Sequence, residues 1–235
     1  MKIVGMIPAR MGSQRVKRKN IRLLNGKPLV EYIFDAASNA KYFDEIYINS
    51  EDPIFKKIAQ PYGIKYYQRD EILSSEEKTN DHFADDFLRH IDCDILIQLL
   101  PTSPFITTQD INSFIEYMLD NKLETLTSVE PKQIGCIYQG KPVNFDENIV
   151  LEKSQNLEPV LVYTGAVTGW NRKKYLENID KYGCAYHGNN TLTDHYQWKG
   201  LSTIDIDNEE DFLLAEKLMR ALDIESNVEP SFYSD

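Results

Sequence analysis

Short apolar segments alternate along the chain with longer segments in which apolar residues recur every three or four positions. The short segments are typical of buried strands, and the longer ones of amphipathic helices. The predicted strands cover residues 3–7, 45–50, 64–67, 95–100, 125–129, 160–168 and 201–207. The predicted helices cover about residues 28–40, 53–60, 83–91, 109–121, 172–179 and 209–222. This alternation predicts an α/β protein with a mostly parallel sheet and crossover helices.

One stretch, residues 131–159, departs from this alternation. Glycines and prolines interrupt short extended pieces there, and an insertion of this kind often forms a lid, a substrate collar or a dimer arm. We therefore predict a main domain made of residues 1–130 and 160–222. The inserted segment (residues 131–159) and a loose polar tail of residues 223–235 complete the chain.

Composition narrows the classes of protein that fit this pattern. The chain has 235 residues, 42% of them hydrophobic, which is enough for one substantial core. Its net charge of −11 argues against a nucleic-acid or anionic-membrane partner. No apolar run approaches the ~18–20 residues that cross a bilayer. The three separated cysteines and the absence of signal-peptide features lead us to expect a cytoplasmic protein.

The first predicted strand is followed by a segment of opposite charge to the rest of the chain. Residues 10–22, the basic loop, contain six basic residues and no acidic one. Gly12 and Ser13 lie among them, so backbone N–H groups and cationic side chains are available to the same anion. The loop is therefore predicted to wrap a polyphosphate. A solvated basic loop without a ligand is the alternative.

Two further features are expected near this loop in an open parallel sheet. A rigid turn, residues 101–105, ends the most apolar strand at the edge where such sheets bind ligands. Asp205 and Asp207 are two residues apart on a predicted strand, so both carboxylates point to one face. Paired carboxylates suit Mg²⁺, although an acidic outer face of an edge strand is the alternative. A cationic loop and a metal pair together favour phosphoryl transfer.

Five short motifs occur in order along the chain. They are Ile7-Pro-Ala-Arg-x-Gly-Ser13, Lys19-Asn20-Ile21, Gly26-Lys-Pro-Leu29, Leu100-Pro-Thr-Ser-Pro-Phe105 and Ile204-Asp-Ile-Asp-Asn208. Over about residues 2–220 the chain resembles the acylneuraminate cytidylyltransferases, or CMP-sialic acid synthetases. The resemblance implies a Rossmann-like three-layer sandwich of the nucleotide-diphospho-sugar transferase type. It also implies that the 2-hydroxyl of a 2-keto-3-deoxy sugar acid attacks the α-phosphate of CTP, which gives a CMP-sugar and pyrophosphate.

The same resemblance implies roles for individual residues. Those expected at the nucleotide are Ala9, Arg10, Gly12, Ser13, Asn20 and Arg69. Those expected to act in catalysis are Arg10, Lys19 and Asp207, and the ligands of the expected cofactor, Mg²⁺, are Asp205 and Asp207. Those expected at the sugar acid are Gln98, Thr102, Ser103 and Tyr163. The inserted segment would form a homodimer and reach into the active site of the partner.

Three positions depart from the family pattern. Gln14 stands where a lysine is common, and Arg15 or Lys17 could substitute for it. Leu100 stands where the family has glutamine, with Gln98 two residues earlier. Val162 stands at the position of an arginine.

The last two departures lie where the family meets its sugar acid, so the acceptor stays open. Sialic, legionaminic, pseudaminic and shorter ulosonic acids, or an acceptor of another kind, are compatible with the motifs. A glycosyltransferase of related topology and a nucleotide-binding module without turnover are the rival functions. His195 could line the sugar pocket, although a packed or capping role is favoured for it.

Overall fold

A seven-stranded sheet forms the centre of the structure, a computed structural model that describes residues 1–75, 77–150 and 153–222. The strands are β1 (Ile3–Pro8), β2 (Glu45–Ser50), β3 (Lys65–Gln68), β4 (Ile95–Leu99), β5 (Thr125–Lys132), β6 (Val160–Asn171) and β7 (Thr193–Gln197). Their order across the sheet is β7-β5-β6-β4-β1-β2-β3. Neighbouring strands are parallel, except that β6 runs antiparallel to both β4 and β5.

Helices cover both faces of this sheet. The α-helices of the described residues are α1 (Leu29–Ser38), α2 (Ile54–Ala59), α3 (Asn80–His90), α4 (Thr108–Asp120), α5 (Arg172–Tyr182) and α6 (Glu209–Leu222). Helices α1, α2 and α4 pack on one face, and α3 and α5 on the other. The predicted three-layer α/β sandwich is therefore confirmed.

The apolar character of β1 explains its central position. Ile3 and Ile7 face the core under α1, whereas Val4 and Met6 face the core under α3, and all four side chains are buried. A strand that is apolar on both faces is typical of the interior of a parallel sheet. The carboxyl end of β1, and the basic loop that follows it, therefore lie near the middle of the side of the sheet where the parallel strands end.

The predicted strand at residues 201–207 is wrong. The chain forms a 3-10 helix at Gly200–Thr203 and then runs extended outside the sheet. The Ile206 side chain packs with Leu24 and Phe212 in a small core beside α6, and its backbone N–H donates to the Thr102 carbonyl at 2.8 Å. The apolar alternation around Ile206 thus reflects packing against a helix and not strand pairing.

Strand β7 was not predicted. Its sequence, Thr-Asp-His-Tyr-Gln, is polar and lacks the apolar run that identifies the interior strands. It lies at the edge of the sheet beside β5, where half-exposed side chains are tolerated. An edge position explains why composition alone does not reveal this strand.

The inserted segment leaves the sheet between β5 and β6. These two strands continue beyond the predicted limits as a long antiparallel pair, interrupted between Tyr163 and Thr168 where Gly165 has a φ of +66°. A small hairpin of Ile137–Tyr138 and Lys141–Pro142 lies at its tip. The predicted tail of residues 223–235 lies outside the described residues. None of the described helices is long and apolar enough to cross a membrane.

Candidate active site

A cavity of about 440 Å³ opens at the carboxyl ends of β1 and β4. The basic loop, the start of α3, the 101–105 turn and the carboxylate pair form its walls. The predicted site residues that line it are Arg10, Ser13, Lys19, Asn20, Arg69, Thr102, Asp205 and Asp207. The structure therefore brings together residues that are up to 197 positions apart in the sequence, from Arg10 to Asp207.

The basic loop is held in shape by uncharged contacts. Asn20 is buried and donates from Nδ2 to the carbonyl oxygen of Arg10 at 3.0 Å, which ties the two ends of the loop together. Val16 is buried in the small core beside α6. Arg18 adopts a left-handed backbone conformation, with a φ of 51°, just before the short 3-10 helix Lys19–Ile21. With the loop in this shape, Arg10, Arg15 and Lys19 line the cavity, whereas Arg22 pairs with Glu209 outside it.

Arg69 forms a second anchor for the loop. Its side chain is buried, and its Nη2 lies 2.7 Å from Glu51 Oε2 and donates to the Ala9 carbonyl at 3.4 Å. Glu51 also accepts a hydrogen bond from the Met11 backbone N–H at 2.8 Å. Burial lowers the pKa of Arg69, with the charge of Glu51 opposing that shift. Arg69 therefore fixes the start of the loop as well as lining the cavity.

The carboxylate pair lies directly opposite the cations of the loop. Arg15 Nη2 donates to Asp207 Oδ1 at 2.8 Å, and Lys19 Nζ lies 3.9 Å from the same oxygen. Lys19 Nζ also donates to the Ile206 carbonyl at 2.5 Å. Burial lowers the pKa of Lys19 although the charges of both aspartates oppose that shift.

Asp205 lies deeper than Asp207 and is held by the 101–105 turn. Ser103 Oγ donates to Asp205 Oδ1 at 3.4 Å. Burial raises the pKa of Asp205, and the like charge of Asp207 adds to this rise, while hydrogen bonds from Thr102 and Ser103 oppose it. The charge of Lys19 also opposes the rise, so burial outweighs the neighbouring cation and the hydrogen bonds in setting the direction of the pKa shift.

The donor set suits a hard divalent cation. Asp205 and Asp207 offer carboxylate oxygens from the same wall, while Ile206 between them points into the core. No cluster of three or more His, Cys, Asp and Glu side chains within the described ranges is arranged to hold a metal ion. Two protein oxygens supplemented by water and phosphate are the ligation that Mg²⁺ accepts. The residues present thus fit Mg²⁺ bound together with a nucleotide.

The start of α3 is part of the cavity, which the sequence interpretation did not foresee. The residues concerned are Lys78, Thr79, Asn80 and Phe83. Thr79 caps the helix in a reciprocal arrangement with His82, so α3 begins at Asn80 and not at residue 83. A threonine three residues before a hydrogen-bonding side chain was the available signal. Lys78 and Arg10 make no side-chain hydrogen bond or ion pair within the described residues, so their charges are available to a ligand.

Other predicted site residues lie outside the cavity lining. Ala9 is buried beneath the loop, Gly12 is exposed on it, and Ser103 is buried behind Asp205. Gln98 is fully buried, and neither its Nε2 nor its Oε1 has a hydrogen-bond partner within the described part of the chain. Tyr163 is exposed beyond the cavity. Contact of Gln98 and Tyr163 with a substrate stays a prediction.

Gln98 begins a row of polar side chains on one face of the sheet. Thr168 on β6, Thr127 on β5 and His195 on β7 follow it in register, strand by strand. His195 Nδ1 lies 2.8 Å from Thr127 Oγ1, and the rings of Tyr163 and His195 meet edge to face at 5.8 Å. We call these four residues and Tyr163 the polar row. It extends from β4, the strand that ends at the cavity, to β7 at the far edge of the sheet.

A cationic loop and paired carboxylates at the edge of a parallel sheet define a nucleotide-binding α/β protein suited to phosphoryl transfer. A family model described as "Cytidylyltransferase" matches residues 4–225, and the chain belongs to this family. The resemblance found in the motifs is therefore confirmed. Membership of this family also weighs against the glycosyltransferase alternative.

Individual relatives are more distant. The chain is 25% identical over 225 residues to the N-acylneuraminate cytidylyltransferase of Streptococcus agalactiae serotype V. The aligned region covers 91% of this chain and 52% of that protein. It is 28% identical over 235 residues to the CMP-N,N'-diacetyllegionaminic acid synthase of Legionella pneumophila, covering 93% and 97% of the two chains. The chain thus spans about half the length of the first relative and nearly all of the second.

A solved structure shares the fold. The CMP:2-keto-3-deoxy-manno-octonic acid synthetase complexed with CTP superposes with a TM-score of 0.73 at 17% identity, covering 94% of this chain and 100% of that chain. This similarity supports the α/β Rossmann-like architecture of the chain.

Proposed function

We propose that the protein is a CTP-dependent cytidylyltransferase that transfers CMP to the 2-hydroxyl of a 2-keto-3-deoxy sugar acid and releases pyrophosphate. The observation that carries this proposal is the meeting of the basic loop and the Asp205–Asp207 pair across one cavity. Membership of the cytidylyltransferase family supports the choice of CTP. The named activities of the relatives support a sugar acid as the acceptor.

The chain's residues divide the work of the reaction between them. Arg10, Ser13 and Lys19 bind the triphosphate, and Arg69 borders the nucleoside. Asp205 and Asp207 would hold Mg²⁺, and the bound ion would supply charge stabilisation at the phosphate that is attacked. Asp207 is the more exposed carboxylate, and we assign it to accept the proton of the attacking 2-hydroxyl.

The acceptor is proposed to bind at the accessible end of the polar row, at Tyr163 and His195, because Gln98, Thr168 and Thr127 are buried. These two side chains offer a hydroxyl and an imidazole, which suit the hydroxyl and acylamino groups of an ulosonic acid. Val162, at the position of a family arginine, is 45% exposed beside this surface. Without a cation at this position, the surface is compatible with sialic, legionaminic, pseudaminic and shorter ulosonic acids.

A homodimer formed through the inserted segment is also proposed. The segment encloses a largely apolar hollow of about 690 Å³. Ile137, Tyr138 and Val150 are 68%, 69% and 90% exposed. An exposed apolar surface of this kind is characteristic of protein–protein contacts, and the family resemblance implies a second copy as the partner.

The test is pyrophosphate release from CTP with Mg²⁺ and a panel of sialic, legionaminic, pseudaminic and shorter ulosonic acids. We expect release with at least one acid, and little with ATP or GTP in place of CTP. CTP binding without release across the panel would favour the alternative of a binding module that lacks turnover. Absence of CTP binding would contradict the proposed function altogether.

A further inference from the structure

Asp207 already has a cationic partner in the nucleotide-free protein. The guanidinium of Arg15 donates to Asp207 Oδ1 at 2.8 Å, although the two residues are 192 positions apart. An oxygen that accepts this hydrogen bond is not free to bind a divalent cation in the same geometry. The basic loop therefore occupies one of the two oxygens of a carboxylate that the proposed metal site requires.

The pair is easily exchanged. The side chains of Arg15 and Asp207 are 68% and 51% exposed, and exposed ion pairs contribute little in water. Lys19 differs, because its side chain is only 12% exposed and its Nζ is also held by the Ile206 carbonyl. Arg15 can therefore leave Asp207 while Lys19 stays in place.

The triphosphate offers Arg15 a second partner. Gln14 carries no charge, and of the two nearby cations only Arg15 lines the cavity, whereas Lys17 does not. A guanidinium binds phosphate oxygens with two parallel hydrogen bonds, which are stronger than a single exposed contact. Of the two residues that could substitute for a lysine at position 14, Arg15 and not Lys17 is therefore placed to bind the triphosphate.

We propose that Arg15 is a triphosphate-binding residue that occupies Asp207 in the nucleotide-free protein and is exchanged for the divalent cation when CTP binds. This inference rests on the proposed function, because it uses the same metal pair. Arg15 competes with the metal ion in the absence of nucleotide and cooperates with it in its presence. Its removal therefore has opposite effects on the two ligands.

Mn²⁺ binding to the nucleotide-free protein tests the first half. The free-ion signal in electron paramagnetic resonance gives the dissociation constant for the wild type, Arg15→Ala, Arg15→Gln and the control Lys17→Ala. We expect both Arg15 variants to bind Mn²⁺ about two- to five-fold more tightly than Lys17→Ala, as removal of one exposed ion pair allows. The control removes the same charge from the loop outside the cavity, so it corrects for long-range attraction. Equal affinities in Arg15→Ala and Lys17→Ala would overturn the inference.

Calorimetric titration with CTP in the presence of Mg²⁺ tests the second half. We expect about tenfold weaker CTP binding in both Arg15 variants than in Lys17→Ala, which is the loss of a charge-assisted hydrogen bond. CTP affinity equal to that of the control would contradict the proposed role at the triphosphate. Absence of Mn²⁺ binding in both Arg15 variants, with CTP still bound by the wild type, would also overturn the inference. A wild type that binds no CTP would refute the proposed function itself.

Discussion

The cavity at the sheet edge and the hollow of the inserted segment are two concave regions of this protein that are built oppositely. The cavity is bordered by cations and carboxylates from several parts of the chain. The described residues that border the hollow all belong to the inserted segment, among them Ile137, Phe145, Ile149 and Val150. Charges dominate the first region, whereas exposed apolar side chains dominate the second.

The two regions differ in how far their side chains are paired or covered within one chain. In the cavity, Arg15 pairs with Asp207 and Arg69 pairs with Glu51, so most charges already have partners. In the inserted segment, Val150 is 90% exposed. An apolar side chain contributes to stability only when another surface removes it from water. The cavity should therefore respond to changes of charge, and the inserted segment to changes that prevent apolar burial.

The largest effect is expected at the metal pair. Asp207→Asn should lower the rate of pyrophosphate release by about a thousandfold, because it removes a charged ligand of the cation. The fold should persist, since the Asp207 side chain is half exposed and the core packing of Ile206 is untouched. Steady-state turnover and a thermal melt measure the two quantities. Near-normal turnover would show that Asp207 does not hold the metal.

The second effect concerns the inserted segment. Ile137→Asp combined with Val150→Asp should weaken self-association by about a hundredfold or more, because two charges would be buried in an apolar contact. Analytical ultracentrifugation reads the oligomeric state, and CTP titration should be unchanged if the cavity is complete within one chain. Leu214→Asp, an equally apolar exposed site on α6, serves as the control. A wild type that sediments as a monomer would refute the dimer.

A third effect is expected beneath the cavity wall. Gln98→Met should raise the free energy of unfolding by about 1 kcal/mol, because it removes two buried polar atoms that lack partners and keeps a similar volume. The kcat/KM for the sugar acid should fall if Gln98 turns toward the acceptor. Thr168→Val is the matched change, and it should destabilise because the Thr168 hydroxyl lies 3.3 Å from Tyr186 OH. Destabilisation by Gln98→Met in denaturant titration would contradict this expectation.

The smallest effect concerns the pH dependence of stability. Burial raises the pKa of Asp205 above its ordinary value of 3.8, so the folded state favours the protonated form. The stability that this preference contributes is complete below pH 3.8 and is lost as the pH rises through the raised pKa. Asp205→Asn should therefore raise the melting temperature by about 1–3 °C near neutral pH, and this difference should shrink as the pH falls toward 3.8.

Added metal provides the control for Asp205. Mg²⁺ with CTP should stabilise the wild type more than Asp205→Asn, because ligand binding stabilises only the state that binds. A lower melting temperature for Asp205→Asn at neutral pH would mean that the ionised carboxylate is not costly in the free protein.

The sequence predicted the basic loop and the aspartate pair correctly as parts of one site, but not the local structure that carries the aspartates. The basic loop follows an apolar strand, and the local inversion of charge identifies it without further information. The strand at residues 201–207 was wrong because Ile206 alternates with polar neighbours for a different reason, its packing beside α6. The prediction that both aspartates face the same side is nevertheless confirmed, since both line the cavity.

Features that depend on distant contacts could not be predicted. The ion pair of Arg15 and Asp207 spans 192 positions, and no local pattern selects Arg15 over Lys17. Strand β7 is polar because it lies at an edge, and its pairing with β5 brings His195 to Thr127. The Arg15–Asp207 ion pair and strand β7 both depend on tertiary contacts and not on local sequence propensity.

A crystal structure with CTP and Mg²⁺ tests the central claim most directly. We expect the triphosphate between Arg10 and Lys19, the cation on Asp205 and Asp207, and Arg15 moved from Asp207 to a phosphate oxygen. CTP bound elsewhere, or a triphosphate that does not touch the basic loop, would contradict it.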